Sequence, residues 1–350
     1  MDKLNKVIQK IQPLNKQVMH AVKEHVDQLT KPVGSLGRIE ELAIQLGGIT
    51  DKERPTVHSP AVIIAAADHG IVAEGVSAYP QEVTKLMIHN FINGGAAINV
   101  FAKQIGAAVH VLDVGVNGEI EAPEVIVKKI KSGTNNFYRE DAMTECEAIR
   151  AIEVGIEEGE RLIDEGHHLL IIGEMGIGNT TSSSALISAY TGANVVEIVG
   201  HGTGLDEEGY SKKITTIKEA LHNRKISSES TSLEIFAKVG GLEIGALAGV
   251  ILAAASRRVP VIIDGLISSA AALVAYELCP TVKEHFIISH QSVEPGHEAI
   301  FTYLHKKPLL SLDLRLGEGT GAALSYPLLV AATHMLNEMA TFADLGIEKK

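Results

Sequence analysis

The segment Arg315-Leu316-Gly317-Glu318-Gly319-Thr320-Gly321 places one carboxylate between glycines in an otherwise apolar stretch. Glycines there let a substrate approach the backbone closely. A helix N-terminus next to Glu318 would favour its ionised form, whereas burial would raise its pKa toward that of a useful base. Two further loops suit an anion. Gly176-Ile177-Gly178-Asn179-Thr180-Thr181 opens a helical pattern with small residues, so that backbone N–H groups can face a phosphate. Gly200-His201-Gly202-Thr203-Gly204 is a second candidate nest, followed by Lys213 as a source of positive charge. Each feature also has an ordinary reading: a helix carboxylate paired with Arg315, N-caps at Asn179 or Thr180, and a solvated helix lysine.

The stretches before these loops explain why they would meet. Short, nearly continuous apolar runs occupy 61–67, 107–112, 169–172, 195–199, 259–263 and 286–288. Runs of this kind suit strands buried on both faces of a parallel sheet. Five of them lead into polar ends: Asp68-His69-Gly70, Gly173-Glu174-Met175, Gly200-His201-Gly202, Asp264-Gly265 and Ser289-His290. In an open parallel sheet, such ends converge on one ligand crevice. Helical periodicity fills the intervals at 140–164, 179–190, 242–256, 268–278 and 319–339, which predicts α/β crossovers. The first fifty residues read as helices, through Leu4, Val7, Ile8 and Ile11, then 14–29, then 36–46 closed by Gly47-Gly48. The expectation is an α/β fold: an open, mostly parallel Rossmann-like sheet flanked by helices. A small helical domain (1–58 with about 325–350) stands beside a nucleotide-binding catalytic domain (59–324).

Composition narrows the function. The 350 residues are 45% hydrophobic and 21% charged, enough to bury a large core, and the formal charge of −12 argues against a nucleic-acid surface. Only Cys146 and Cys279 are present, so neither a disulfide framework nor a thiolate metal site is expected. The 15 histidines lack ligand spacing: His167-His168 would point to opposite faces of a strand, and His290 and His297 flank a Pro-Gly turn. Asp68-His69 reads equally as an acid/base pair and as a strand-end cap. Neither GxxxxGK[ST] nor an early GxGxxG occurs, which disfavours a nucleoside triphosphatase and a dinucleotide dehydrogenase. No signal segment or membrane-length apolar run is visible, so a cytoplasmic protein is expected.

The ordered series Lys31-Pro32-Val33-Gly34-Ser35-Leu36-Gly37, Ala67-Asp68-His69-Gly70-Ile71, Glu74-Gly75-Val76, Gly173-Glu174-Met175-Gly176, Asn179-Thr180-Thr181, Lys238-Val239-Gly240-Gly241, Asp264-Gly265, Ser289-His290 and Arg315-Leu316-Gly317-Glu318-Gly319 resembles the nicotinate mononucleotide:5,6-dimethylbenzimidazole phosphoribosyltransferase family over nearly the whole chain. The resemblance implies transfer of phosphoribose from nicotinate mononucleotide to a benzimidazole, with inversion at the anomeric carbon, in assembly of the cobalamin nucleotide loop. The pyridinium leaving group needs no acid and no pyrophosphate departs, so neither metal nor cofactor is implied. The resemblance makes Glu318 the base and puts Glu174 at the reacting centre. Gly176, Gly178, Asn179, Thr180, Thr181, Gly202, Thr203, Gly204, Lys213 and Asp264 would hold phosphate or ribose. Tyr79, Pro80, Met87, Met175, Leu316 and Gly317 would form the base pocket. A homodimer is implied. The other reading is a regulatory protein that keeps the nucleotide site and has lost the chemistry.

Overall fold

A computed structural model describes residues 2–202 and 204–347. Six parallel strands form the main sheet: β1 (Pro60–Ala67), β2 (Ala108–Gly115), β3 (Val125–Val127), β4 (Leu169–Met175), β5 (Val261–Ile263) and β6 (Phe286–Ile288). Their order is β3-β2-β1-β4-β5-β6, so the direction of winding reverses between β1 and β4. That reversal opens a crevice beyond the carboxyl ends of the strands. A short second ribbon pairs β7 (His290–Gln291) with β8 (Leu310–Ser311) in parallel.

All eight residues of β1 are buried, and their alternation feeds two cores. Ala61, Ile63, Ala65 and Ala67 face one hydrophobic cluster, and Val62, Ile64 and Ala66 face the other. The helices are α1 (Asp2–Lys10), α2 (Lys16–Gln28), α3 (Arg38–Thr50), α4 (Glu82–Ile92), α5 (Ala97–Gln104), α6 (Glu145–Asp164), α7 (Asn179–Thr191), α8 (Val195–Ile198), α9 (Glu207–Asn223), α10 (Ser232–Val239), α11 (Leu242–Ser256), α12 (Leu266–Leu278), α13 (Gly296–Leu304) and α14 (Thr320–Glu338). The first cluster takes in α1 and α6 to α13; the second takes in α2 to α5 and α14. The result is a three-layer α/β/α arrangement. In α11 every residue from Leu242 to Ala255 is buried. It lies so close to α6 that a Cβ on Gly155 would fall on the Ala246 carbonyl.

The two ends of the chain meet. Thr30 N–H donates to the Ala340 carbonyl at 3.0 Å and Phe342 N–H to that of Gln28 at 3.0 Å, which ties α2 to the segment after α14.

Four of the five strand ends expected to converge do belong to the sheet. The fifth run, 195–199, is not a strand: it is the single turn α8, capped by the Asn194 side chain at 3.1 Å from Val196 N–H. Val195 and Ile198 are buried while Val196 is 46% exposed, the i, i+3 pattern of a helix. An apolar run of this length cannot by itself separate a strand from a buried helical turn. Gly47 and Gly48 do not close α3 but lie inside it, where Val22 and Met19 leave 2.7 Å for a Cβ. α6 begins at Glu145 rather than 140, because Thr144 and Glu147 form a capping box. The strand β3 carries no visible signal in the sequence. It is three residues long, and Val127 faces solvent.

Candidate active site

Beyond the ends of β4, β5 and β6 lies a cleft of about 270 Å³. Its wall is built from the 174–180 loop, the start of α12, the 290–294 segment, the 315–318 segment and Tyr79. A smaller pocket continues past the N-terminus of α7 to His201, Gly202 and Lys213.

The 317–319 turn determines how Glu318 is presented. Gly317, Glu318 and Gly319 all have positive φ, +89°, +64° and +91°. A non-glycine residue in this region is strained, and such strain gathers at functional sites. Neighbouring carboxylates hold the turn's backbone. Gly319 N–H donates to Asp264 Oδ2 at 2.9 Å and Ala322 N–H to Asp264 Oδ1 at 3.0 Å. The Glu318 N–H faces the Glu174 carboxylate and favours its ionised form. The turn lies against β4 so tightly that a Cβ on Gly173 would fall on the Glu318 carbonyl. The Glu318 side chain itself lines the cleft, is 6% exposed, and its buried Oε2 has no hydrogen-bond partner among the described residues. Burial, helped by the charge of Asp264, pushes its pKa up to about 7. Of the two opposing effects on this carboxyl, desolvation wins. Glu318 does stand at the start of α14, but no Arg315–Glu318 ion pair is present among the described residues.

Glu174 is the penultimate residue of β4, beside the turn. Asn179 Nδ2 donates to its Oε2, and burial together with Glu243, Asp264 and Glu318 pushes its pKa up to about 8. Lys213, on α9, is 1% exposed rather than solvated. Its ammonium donates to Thr180 Oγ1 at 3.0 Å and to the Gly200 carbonyl at 3.3 Å. Burial pushes its pKa down to about 8. A Cβ on Gly202 would stand 3.4 Å from that nitrogen. A buried ammonium beside a helix N-terminus and glycine turns is built for an anion.

Glu318, Glu174, Gly176, Asn179, Thr180, Gly202, Tyr79, Met175, Leu316 and Gly317 thus share one cleft, with Gly178 and Lys213 in its extension. The other expected residues lie elsewhere. Thr181 is fully buried in α7, Gly204 is outside both linings, and Thr203 is outside the described residues. Asp264 is fully buried, with both oxygens on the backbone of the turn and the start of α14. Pro80 is absent from the cleft wall, and Met87 packs on the second hydrophobic cluster. Asp68 and His69 lie outside this cleft, and Asp68 lines a separate pocket with Gln81 and Asn117. Asp68 Oδ2 accepts from Asn117 N–H at 2.7 Å, and His69 Nε2 lies 2.6 Å from Glu243 Oε1 with both side chains fully buried.

Ser292 closes the polar stretch Ser289-His290-Gln291-Ser292 that follows the 286–288 run, but the sequence assigns it no role. Sequence reasoning misses Glu294, which no spacing marks. Both residues stand on the cleft wall. His297 positions them: Ser292 N–H donates to its Nδ1 at 2.9 Å, which leaves Nε2 as the protonated nitrogen facing Ser269 Oγ at 2.8 Å. Burial pushes the His297 pKa down to about 3, so this ring is neutral. Among the described residues, no three His, Cys, Asp or Glu side chains gather as a metal site.

A family model described as "Phosphoribosyltransferase" matches residues 11–347. The chain is 52% identical over 351 residues to the nicotinate-nucleotide–dimethylbenzimidazole phosphoribosyltransferase of Chloroflexus aggregans, covering 100% of this chain and 99% of that one. It is 47% identical over 347 residues to the enzyme of that name from Halalkalibacterium halodurans, covering 99% and 97%. The crystal structure of CobT from Thermus thermophilus superposes with a TM-score of 0.92 at 45% identity, covering 95% of this chain and 100% of that one. Likeness on this scale extends from just before α2 to the end of the described chain, and this protein belongs to the nicotinate-nucleotide–dimethylbenzimidazole phosphoribosyltransferase family.

Proposed function

We propose that this chain transfers the 5-phosphoribosyl group of nicotinate mononucleotide to a benzimidazole, giving α-ribazole 5′-phosphate and nicotinate. The observation that carries this reading is the Glu318 carboxylate: buried, free at Oε2, facing the cleft, with a pKa of about 7. A base that titrates near the working pH is well matched to removing the acceptor's ring proton. One benzimidazole nitrogen attacks the anomeric carbon while the C–N bond to the pyridinium breaks. The bonding pair goes to nicotinate, which leaves as a neutral ring, and the acceptor's N–H proton goes to Glu318. The anomeric centre inverts from β to α.

In this reading the donor phosphate sits at Gly176, Gly178, Asn179, Thr180, Gly202 and Lys213, where a helix N-terminus and an ammonium converge. Glu174, mainly protonated at neutral pH, offers a hydroxyl to ribose or leaving ring. Tyr79, Met175, Leu316 and Gly317 hold the flat acceptor. The donor binds as a single phosphate, so the overall charge of −12 is no obstacle. The working unit is a homodimer in the cytoplasm; of the small helical part expected over 1–58 and about 325–350, α2, α3 and α14 pack together, whereas α1 packs with α6 and α11 on the other cluster. No helix among the described residues is long and apolar enough to cross a membrane.

Incubation of the purified chain with nicotinate mononucleotide and mixed bases, followed by mass spectrometry, tests the reading. The expected products are nicotinate and α-ribazole 5′-phosphate. No nicotinate release with any benzimidazole, beside retained donor binding, would establish the silent regulatory protein instead. Light scattering on the same sample tests the dimer.

A further inference from the structure

The carboxylate of Asp264 lies one layer behind the cleft, at the end of β5, and is fully buried. Its two oxygens are divided between two neighbouring parts of the chain. Oδ2 accepts from Gly319 N–H at 2.9 Å, the last residue of the left-handed turn, and Oδ1 from Ala322 N–H at 3.0 Å, in the first turn of α14. The Gly321 N–H also points at this carboxyl. His290 stands beside it, with Nδ1 3.8 Å from Oδ1 and 2.9 Å from Ser289 Oγ. The His290 ring fills the space a Cβ on Gly321 would occupy, and it also lines the cleft.

We propose that Asp264, backed by His290, is a positioning residue of this active site, and that it holds the 317–319 turn in the left-handed form that keeps the Glu318 carboxylate turned into the cleft. The inference deepens the functional reading above and rests on it. The geometry leaves little alternative work for this side chain. A helix start normally takes its cap from the residue just before the helix. Here that position is Gly319, which has no side chain, so the distant carboxylate of Asp264 replaces the missing cap. The same placement puts a negative charge behind Glu318, and that charge opposes ionisation of the base. The groups facing Glu318 are Asp264 from β5, Glu174 from β4 with Glu243 of α11 behind it, His290 and Glu294 from the segment after β6, and Arg315 on its own loop. Asp264 is the charge that acts with burial in raising Glu318, so its removal is what should move the base.

The test is Asp264→Asn in the full-length protein, read by steady-state kinetics across pH and by amide hydrogen exchange. Expected are a fall in kcat of roughly 10–100-fold, a donor KM within about threefold of wild type, and an acidic limb of the kcat/KM profile moved to lower pH. Exchange at Gly319 and Ala322 should rise in the variant. A raised donor KM with unchanged kcat and an unmoved acidic limb would overturn the proposal and return Asp264 to the donor site. Unchanged exchange at both amides would overturn it too. If Asp264→Asn does not fold, Asp264→Ser keeps one acceptor and drops the charge, and the same readouts decide. Failure of the functional reading shows separately, as a wild-type chain that releases no nicotinate. The exchange comparison then still decides where Asp264 acts.

Discussion

At the α7 end of the cleft the polar side chains are already engaged with one another. Lys213 donates to Thr180 and to the Gly200 carbonyl, and Asn179 donates to Glu174, with Lys213, Asn179 and Glu174 buried. At the 315–318 end the side chains stand free. Leu316 is 57% exposed, Tyr79 is 52% exposed, and Glu318 Oε2 has no partner among the described residues. The first end is organised before any ligand arrives, which suits an invariant group such as a phosphate. The second holds its backbone rigidly and leaves its side chains uncommitted, which suits a proton transfer and a flat ring of variable substitution. Preorganisation is concentrated at the α7 end and in the direction of Glu318; under the proposed function it therefore serves the donor and the base more than the acceptor.

The comparison breaks most sharply at Glu318. Glu318→Gln keeps the shape and removes the base, so kcat should fall by roughly 10²–10⁴ with donor binding kept. In the wild type, kcat/KM should fall as pH drops through about 7, where Glu318 takes up a proton. Normal turnover of this variant would place the base elsewhere. Next is Gly173→Ala. The added methyl meets the Glu318 carbonyl and must push the turn off β4. A displacement of about 1 Å should cost about 10² in kcat, and overpacking about 1–3 kcal/mol in stability, measurable by denaturant unfolding.

Lys213→Met addresses the donor end alone. Loss of a charge-assisted contact of about 1.5–3 kcal/mol should weaken donor binding by roughly 10–100-fold, with kcat nearly unchanged. The same variant assigns the alkaline limb, expected at about 8. Lys213 loses its proton there and would no longer attract phosphate. A limb that disappears with Lys213→Met belongs to the lysine, and one that persists belongs to Glu174, which titrates in the same range. The smallest effect is expected at the open end. Leu316→Ala should raise the acceptor KM by only about threefold to tenfold, since a half-exposed side chain gives up about 1 kcal/mol of contact. A larger loss would mean that the acceptor end is closed in the working enzyme.

Much of this is readable from the chain. The apolar runs at 61–67, 169–172 and 286–288 match strands because continuous burial on both faces leaves a continuous apolar record. α11, predicted over 242–256, matches because its composition suits no other environment. The run at 195–199 misleads because one apolar helical turn and one short strand look alike until neighbours are known. The helices α4, α5, α9, α10 and α13 escape the periodicity reading. α5, α10 and α13 are only eight or nine residues long, so their apolar spacing spans little more than two turns and gives a weak record.

At the site, residue types determined by themselves that one carboxylate lies between glycines, that small residues open α7, and that a lysine follows the second glycine loop. Tertiary structure decided where these groups stand and what they touch. It buried Lys213, freed Glu318 from Arg315, and turned Asp264 from the cleft to the backbone of the 317–319 turn. The reason is physical. Backbone torsions and apolar spacing are local properties that a sequence carries along its length. Desolvation and the choice of hydrogen-bond partner depend on what the fold brings within a few ångströms, as it brings Gly319 N–H to Asp264 across 55 residues of chain.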